Sequence, residues 1–67
     1  MLLTINGTPR EFDRDALNVQ DLVMLLAITG KRIAIELNGE IVPRGVFAHT
    51  LLKAGDTLEI VGAVGGG

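Results

Sequence analysis

Apolar and polar residues alternate along the first part of the chain, and a turn signal interrupts the alternation. The apolar residues 1–5 predict a β-strand with Leu3 and Ile5 facing the core, since successive side chains of a strand point to opposite faces. Asn-Gly follows at positions 6–7, and this dipeptide favours a hairpin turn in which both residues have positive φ. Residues 8–13 are predicted to return as a second strand, and Pro9 fits an edge position where a missing N–H is tolerated.

After residue 18 the apolar spacing changes from two residues to three or four, which predicts an amphipathic helix. Asn18 is a suitable N-cap, and Asp21 completes a capping box, whereas residues 14–17 before it are predicted to form a loop. Gly30 is predicted to follow the helix in the left-handed conformation that ends many helices. The apolar stripe of this helix contains Val19, Leu22, Val23, Leu26 and Ala27, and it is broadened by Met24 and Leu25.

The second half of the chain repeats the hairpin pattern. Residues 33–37 alternate between apolar residues and smaller or polar ones, which predicts a strand. Asn38-Gly39 predicts a second tight turn. Residues 40–42 predict a short returning strand, which Pro43 stops because proline has no N–H to donate to the sheet.

The remaining segments predict an irregular turn and a final strand. Residues 44–49 predict a loop that holds one irregular helical turn, with Phe47 packed beneath it. Residues 54–56 contain Ala-Gly-Asp and predict a turn. Residues 57–61 alternate once more and predict the last strand.

One helix among these strands favours an α+β domain in which the helix lies across a mixed sheet of four to five strands. The final strand is expected at the centre of that sheet, with Leu58 and Ile60 on its inner face. A central position pairs both edges of the strand and buries one of its faces.

Composition excludes several classes of function. The 67 residues include no cysteine and a single histidine, which excludes disulfides and a cysteine nucleophile and argues against bound metal. The net charge is −2 and the lysines and arginines are scattered, so the basic footprint of a nucleic-acid-binding protein is absent. No apolar run approaches the roughly 20 residues of a membrane span. With no signal-peptide pattern at the start, a cytoplasmic protein without a bound cofactor is expected.

The chain finishes with AVGGG, residues 63–67. Glycine loses more conformational freedom on ordering than any other residue, so residues 65–67 are predicted to form a flexible tail behind a folded domain of residues 1–64. By itself a glycine run is equally compatible with a frayed end and with a thin tail that enters a narrow site. The tail follows the last predicted strand without a linker, which favours the second interpretation.

Together these features resemble the ThiS family, the sulfur carrier proteins of thiamine biosynthesis, which have the ubiquitin-like β-grasp fold. The likeness spans nearly the whole chain and includes the first Asn-Gly hairpin, the helix start at 19–22, IAIELNGEIVPR at 33–44, AGDTLEIV at 54–61 and the terminal glycines. Its most specific parts are residues 38–44 and the final glycine pair. The resemblance implies that the whole domain is a β-grasp fold.

The resemblance also implies a chemistry. In this family a partner enzyme uses ATP to adenylate the C-terminal glycine carboxylate, the acyl-adenylate becomes a thiocarboxylate, and the sulfur passes to the enzyme that builds the thiazole ring. By position this role falls on Gly67, with Gly66 as the other half of the pair and Gly65 as an additional neighbour. The chain is thus expected to be a protein co-substrate and not an enzyme. Its expected partners are a ThiF-like adenylating enzyme and a ThiG-like thiazole synthase.

The residues before the glycines are candidates for partner binding. Val61, Ala63 and Val64 would form a small apolar docking patch, which Ile41 and Phe47 would extend. A role in the core is the competing interpretation. A carrier for molybdopterin synthesis, tRNA thiolation or cysteine synthesis stays open as an alternative, and so does a ubiquitin-like binding module with an inert tail.

Overall fold

The computed structural model describes residues 1–28 and 33–62, which form a five-stranded sheet, a second pair of short strands, an α-helix and a 3₁₀ helix. The elements, in chain order, are β1 (Leu2–Ile5), β2 (Thr8–Glu11), β3 (Leu17–Asn18), α1 (Val19–Leu25), β4 (Ile33–Leu37), β5 (Glu40–Val42), the 3₁₀ helix (Arg44–His49), β6 (Leu51–Leu52) and β7 (Thr57–Gly62).

The last strand, β7, lies at the centre of the large sheet, whose order is β2-β1-β7-β4-β5. It runs parallel to β1, with Ile5 opposite Leu58, and antiparallel to β4, with Ile35 opposite Ile60. This arrangement confirms the prediction of a central final strand. A mixed sheet of five strands with a helix across it also confirms the predicted α+β class.

Both Asn-Gly pairs form the predicted hairpin turns. Asn6 and Gly7 have φ angles of 51° and 82°, and Asn38 and Gly39 have φ angles of 51° and 89°. These are the positive values that a type I′ turn requires at both central positions. The first turn joins β1 to β2, and the second joins β4 to β5.

Strand β2 forms one edge of the sheet, as Pro9 predicts. Thr4 lies opposite Pro9 and donates its N–H to the carbonyl oxygen of Asp56 at 3.0 Å, away from β2. Facing residues of an antiparallel pair direct their backbone groups either at each other or both away. The backbone nitrogen of Pro9, which carries no hydrogen, therefore faces the open edge of the sheet, where no hydrogen bond to another strand is lost. The strand ends at Glu11, earlier than the predicted residue 13.

Helix α1 begins where the sequence predicts. The side chain of Asn18 accepts a hydrogen bond from the Asp21 N–H at 2.7 Å, and the Asp21 carboxylate accepts one from the Asn18 N–H at 3.3 Å. This reciprocal pair is the predicted capping box, and it satisfies two backbone groups that the first turn leaves without helical partners.

Helix α1 ends earlier than the sequence predicts. Ala27, with a φ of 56°, occupies the left-handed position that the prediction gave to Gly30, which lies outside the described residues. Ala27 donates its N–H to the carbonyl oxygen of Met24 at 3.1 Å, and Ile28 donates to that of Val23 at 3.2 Å. These two bonds constitute a Schellman motif, which closes the helix without a glycine.

The core lies between the helices and the inner face of the sheet. Its centre is formed by Leu3, Ile35 and Leu58 of the sheet, all fully buried. The other buried apolar residues are Ile5, Leu17, Val19, Leu22, Val42, Phe47 and Leu52. Met24, Leu25 and Ala27 are exposed, although the predicted stripe included them. Met24, for example, lies two positions from Leu22 and so points to the opposite side of the helix.

The structure also contains a second, two-stranded sheet that the sequence did not predict. Leu17 of β3 pairs antiparallel with Leu52 of β6, and both side chains are buried. Leu17 was predicted to belong to a loop. Two-residue strands are too short for alternation to reveal them, and this pair forms only because the chain brings distant segments together.

The two helices are short. Helix α1 has seven residues, and the 3₁₀ helix has six and confirms the irregular helical turn predicted for residues 44–49. In the part of the chain that the structure describes, no helix has the length and apolar character needed to cross a membrane.

Candidate functional site

The predicted glycine tail, Gly65, Gly66 and Gly67, lies outside the described residues. Ala63 and Val64 of the predicted docking patch lie there as well. We call residues 63–67, which follow the last described strand, the carrier segment. The structure describes what precedes them, namely β7, which ends at Gly62. The site is therefore built from β7, the two hairpin turns that contact it, and the sheet face around it.

The start of β7 is fixed by the second hairpin turn. The side-chain oxygen of Asn38 accepts a hydrogen bond from the Thr57 N–H at 3.0 Å, and its backbone N–H donates to the Thr57 carbonyl oxygen at 2.8 Å. The buried carboxylate of Asp56 accepts from the Lys53 N–H at 2.8 Å and from Nδ2 of Asn38 at 3.1 Å. A buried carboxylate needs such partners, and here it also ties the turn to the strand.

The end of β7 is held by the first hairpin turn. Backbone pairing with β1 extends only as far as Leu58. The side chain of Asn6 then continues the contact, because Oδ1 accepts from the Ile60 N–H at 2.7 Å and Nδ2 donates to the Ile60 carbonyl oxygen at 3.1 Å. From there to Gly62, pairing within the described residues is with β4.

The sheet face directed away from α1 carries two of the predicted partner-binding residues. Ile41 on β5 is 70% exposed, and Val61 on β7 is 63% exposed. Glu36 on β4 lies opposite both Ile41 and Glu59, and Ala34 lies opposite Val61. We call this surface, formed by Ala34, Glu36, Ile41, Glu59 and Val61, the open face. Its exposed aliphatic side chains are suited to contact with another protein.

Phe47 does not belong to the open face. Its side chain is 5% exposed and packs within the core cluster. The 3₁₀ helix that carries it packs against α1, on the covered side of the sheet. The prediction that Phe47 extends a docking patch is therefore wrong, because an aromatic ring in this small domain is used to fill the core.

Two carboxylates oppose each other in the open face. Glu36 and Glu59 are direct cross-strand neighbours on β4 and β7, a relation in which like charges destabilise a sheet. Among the described residues no group of three or more potential metal ligands is present, so the pair does not form part of such a cluster.

Sequence reasoning missed both this pair and the contact of Asn6 with β7. The sequence assigned Asn6 to a turn, and the glutamates to separate strands. The partner of the Asn6 side chain lies 54 positions away. No local pattern signals either relation, because each depends on which strands become neighbours.

Comparison with known proteins matches the chain over nearly its full length. The model of the ThiS family matches residues 3–67. The sulfur carrier protein ThiS of Bacillus subtilis is 32% identical over 66 residues, which cover 98% of this chain and 100% of that protein.

A longer relative contains a similar region. A thiazole synthase of Paramagnetospirillum magneticum is 40% identical over 67 residues, which are all of this chain and 20% of that protein. The chain thus spans about a fifth of the length of this curated relative.

A solved structure shows the same fold. The crystal structure of a thiamine biosynthesis protein, ThiS, from Geobacter metallireducens superimposes with a TM-score of 0.88 at 39% identity, and all of both chains is covered. This match confirms the ubiquitin-like β-grasp fold that the sequence resemblance implied.

Proposed function

This chain belongs to the ThiS family, and we propose that it is a sulfur carrier for thiazole formation in thiamine biosynthesis. The observation that carries the proposal is similarity over the whole length, since the sulfur carrier protein of Bacillus subtilis matches 98% of this chain and is itself covered completely. A carrier of this kind is a protein co-substrate, and its partner enzymes supply the catalysis.

The proposed reactive group is the carboxylate of Gly67. A carboxylate is a poor acyl donor because its negative charge opposes nucleophilic attack on the carbon. A ThiF-like adenylating enzyme would correct this: a carboxylate oxygen attacks the α-phosphorus of ATP, and pyrophosphate leaves. Sulfur at the sulfide level, such as hydrosulfide, then attacks the acyl carbon and AMP leaves, which produces a thiocarboxylate at Gly67 and releases a proton.

The glycines of the carrier segment suit delivery into a closed site. An acyl-adenylate hydrolyses unless water is excluded, so the site that forms it has to be narrow. Three residues without side chains reach at most ~10 Å when extended. Gly65 and Gly66 would thus carry Gly67 through a narrow entrance while the folded domain stays outside.

A thiazole synthase is the proposed acceptor of the sulfur. Two relatives named thiazole synthase, from Paramagnetospirillum magneticum and Magnetococcus marinus, contain the region similar to this chain within one longer polypeptide. Covalent linkage holds two modules at a high effective concentration, which is useful when they act in sequence. This observation favours a ThiG-like partner over a molybdopterin synthase.

The open face is the proposed docking surface for both partner enzymes. Ile41 and Val61 supply exposed apolar contact, and Val61 directly precedes Gly62, from which the carrier segment continues. An enzyme bound at this face would hold the domain beside the entrance that residues 63–67 must reach. Ala63 and Val64 would extend the apolar contact toward that entrance.

Mass spectrometry tests the carrier chemistry. The 67-residue chain is incubated with a ThiF-like enzyme, ATP and a sulfur donor, and its intact mass is expected to rise by the difference between sulfur and oxygen. Fragmentation should place the change at Gly67. A chain whose Gly67 carboxylate is capped as an amide should have an unchanged circular dichroism spectrum and no gain of mass.

Addition of a thiazole synthase with its small substrates tests the destination of the sulfur. The mass of the charged chain should return to its starting value as the thiazole product forms. If the chain gains no sulfur under conditions in which the Bacillus subtilis carrier does, the proposal is contradicted and a binding module is favoured. Delivery only to a molybdopterin synthase would retain a carrier but overturn its assignment to thiamine.

A further inference from the structure

Asn6 makes a contact that its place in the hairpin turn does not require. A type I′ turn needs positive φ at this position, and glycine would provide it. The side chain of Asn6 nevertheless forms hydrogen bonds of 2.7 Å and 3.1 Å with the N–H and carbonyl oxygen of Ile60. A side-chain amide offers the same donor and acceptor as a peptide group, so Asn6 acts as one more strand residue of β1.

The contact lies at the point where β1 has ended and β7 continues. Alternate residues of β7 direct their backbone groups toward β1. The carbonyl oxygen of Asp56 accepts from the Thr4 N–H at 3.0 Å, and that of Leu58 accepts from the Asn6 N–H at 2.9 Å. Ile60 is the next residue in this series, and the partner that it meets is the Asn6 side chain.

We propose that Asn6 is a positioning residue for the carrier segment, residues 63–67. Its two bonds to Ile60 act on the β1 side of the strand, opposite the β4 pairing that continues to Gly62, so the end of β7 is fixed from both sides where the chain continues. A fixed starting point reduces the conformations that the segment must lose when it enters an enzyme site. This inference rests on the proposed carrier function and adds a residue whose sequence signal indicated a turn alone.

The second hairpin supplies a matched control. Asn38 occupies the same turn position with the same φ of 51°, and its side chain also makes two hydrogen bonds, with Thr57 and Asp56. These bonds lie at the start of β7, at the opposite end of the strand from Gly62. Glycine at either position keeps the turn, because it adopts positive φ freely, and removes only the side-chain bonds.

Amide hydrogen exchange tests the contact independently of any carrier activity. In Asn6→Gly the Ile60 amide is expected to exchange about tenfold faster while the Thr57 amide is unchanged, and Asn38→Gly should give the reverse. Exchange of the Ile60 amide at the wild-type rate in Asn6→Gly would overturn the inference.

Adenylation kinetics with a ThiF-like enzyme test the positioning role. At a temperature where all variants are folded, Asn6→Gly is expected to lower kcat about tenfold with KM for the carrier unchanged, because the open face is intact. Asn38→Gly should keep the wild-type kcat. Asn6→Asp retains an acceptor for the Ile60 N–H and should recover part of the lost kcat.

The outcomes separate the two proposals. An equal kcat in the two glycine variants would overturn the positioning role and leave the carrier function in place. If the wild-type chain is not adenylated at all, the carrier function fails, and the positioning role fails with it.

Discussion

The two faces of the central strand β7 have opposite characters. Leu58 is fully buried against the helix layer, whereas its neighbour Glu59 points to solvent and faces a second carboxylate, Glu36. Further along the strand, Ile60 packs against the core and Val61 is exposed. Because successive side chains of a strand point to opposite faces, one face of β7 stabilises the core and the other is available for the proposed docking. Substitutions at adjacent positions should therefore have unrelated effects.

The largest expected effect is loss of stability from the covered face. Leu58→Ala removes a fully buried side chain and should lower the free energy of unfolding by about 3 kcal/mol, because a cavity remains in the core. Glu59→Ala, one residue away, should change it by less than about 0.5 kcal/mol. Urea denaturation measures both, and similar losses in the two variants would contradict the division between faces.

The next effect is loss of partner binding from the open face. Ile41→Asp places a charge in the apolar contact and should raise KM for the carrier in adenylation about tenfold. Because the new carboxylate faces Glu36, the free energy of unfolding should also fall, by less than about 1 kcal/mol. Leu51→Asp is the matched control, because Leu51 is 72% exposed, like Ile41, but lies on β6, outside the open face. A similar rise in KM for both variants would show that the open face is not the docking surface.

A smaller effect is expected at the end of α1, where a substitution should raise the free energy of unfolding without affecting the open face. Ala27 holds a φ of 56°, which costs an alanine about 1 kcal/mol and costs glycine almost nothing. Part of this gain is offset by the greater freedom of glycine in the unfolded chain. Ala27→Gly should therefore raise the unfolding free energy by roughly 0.5 kcal/mol. KM in adenylation should stay at the wild-type value, and a lower midpoint of denaturation would contradict the helix end described above.

The smallest effect concerns the opposed carboxylates. Glu59→Gln removes the repulsion from Glu36 and should stabilise the domain by a few tenths of a kcal/mol at low salt. The gain should shrink as salt screens the charges. Glu40→Gln is the control, since it removes the same charge from a residue paired with Leu37. Equal gains from both variants would indicate an effect of net charge rather than of the pair.

Local chemistry explains which elements the sequence predicted correctly. Both Asn-Gly turns were predicted because positive φ is a property of those residues themselves. The start of α1 was predicted because Asn18 and Asp21 lie within one turn of each other and make their hydrogen bonds locally. The alternation of residues 57–61 likewise indicated a strand with Leu58 inward, whatever its neighbours.

Errors arose where several local signals competed. Gly30 offered the stronger signal for the end of α1, but the chain uses Ala27, because the Schellman bonds of Ala27 and Ile28 form three residues earlier. Phe47 was offered both as surface and as core, and burial of its ring decided for the core. In each case the sequence contained the correct residue but not the contacts that select it.

The turns, the helix start and the strands of the large sheet could be predicted from the amino-acid sequence, because they depend on backbone preferences and on the period of apolar residues. The resemblance to the sulfur carriers rests instead on motifs, above all residues 38–44 and the final glycine pair. Three contacts emerge only in the assembled fold: Asn6 binds Ile60, Glu36 faces Glu59, and Leu17 pairs with Leu52. Such contacts join segments that are distant in the sequence. They form because burying a common core stabilises the assembled fold, and this free energy cannot be assigned to any single segment.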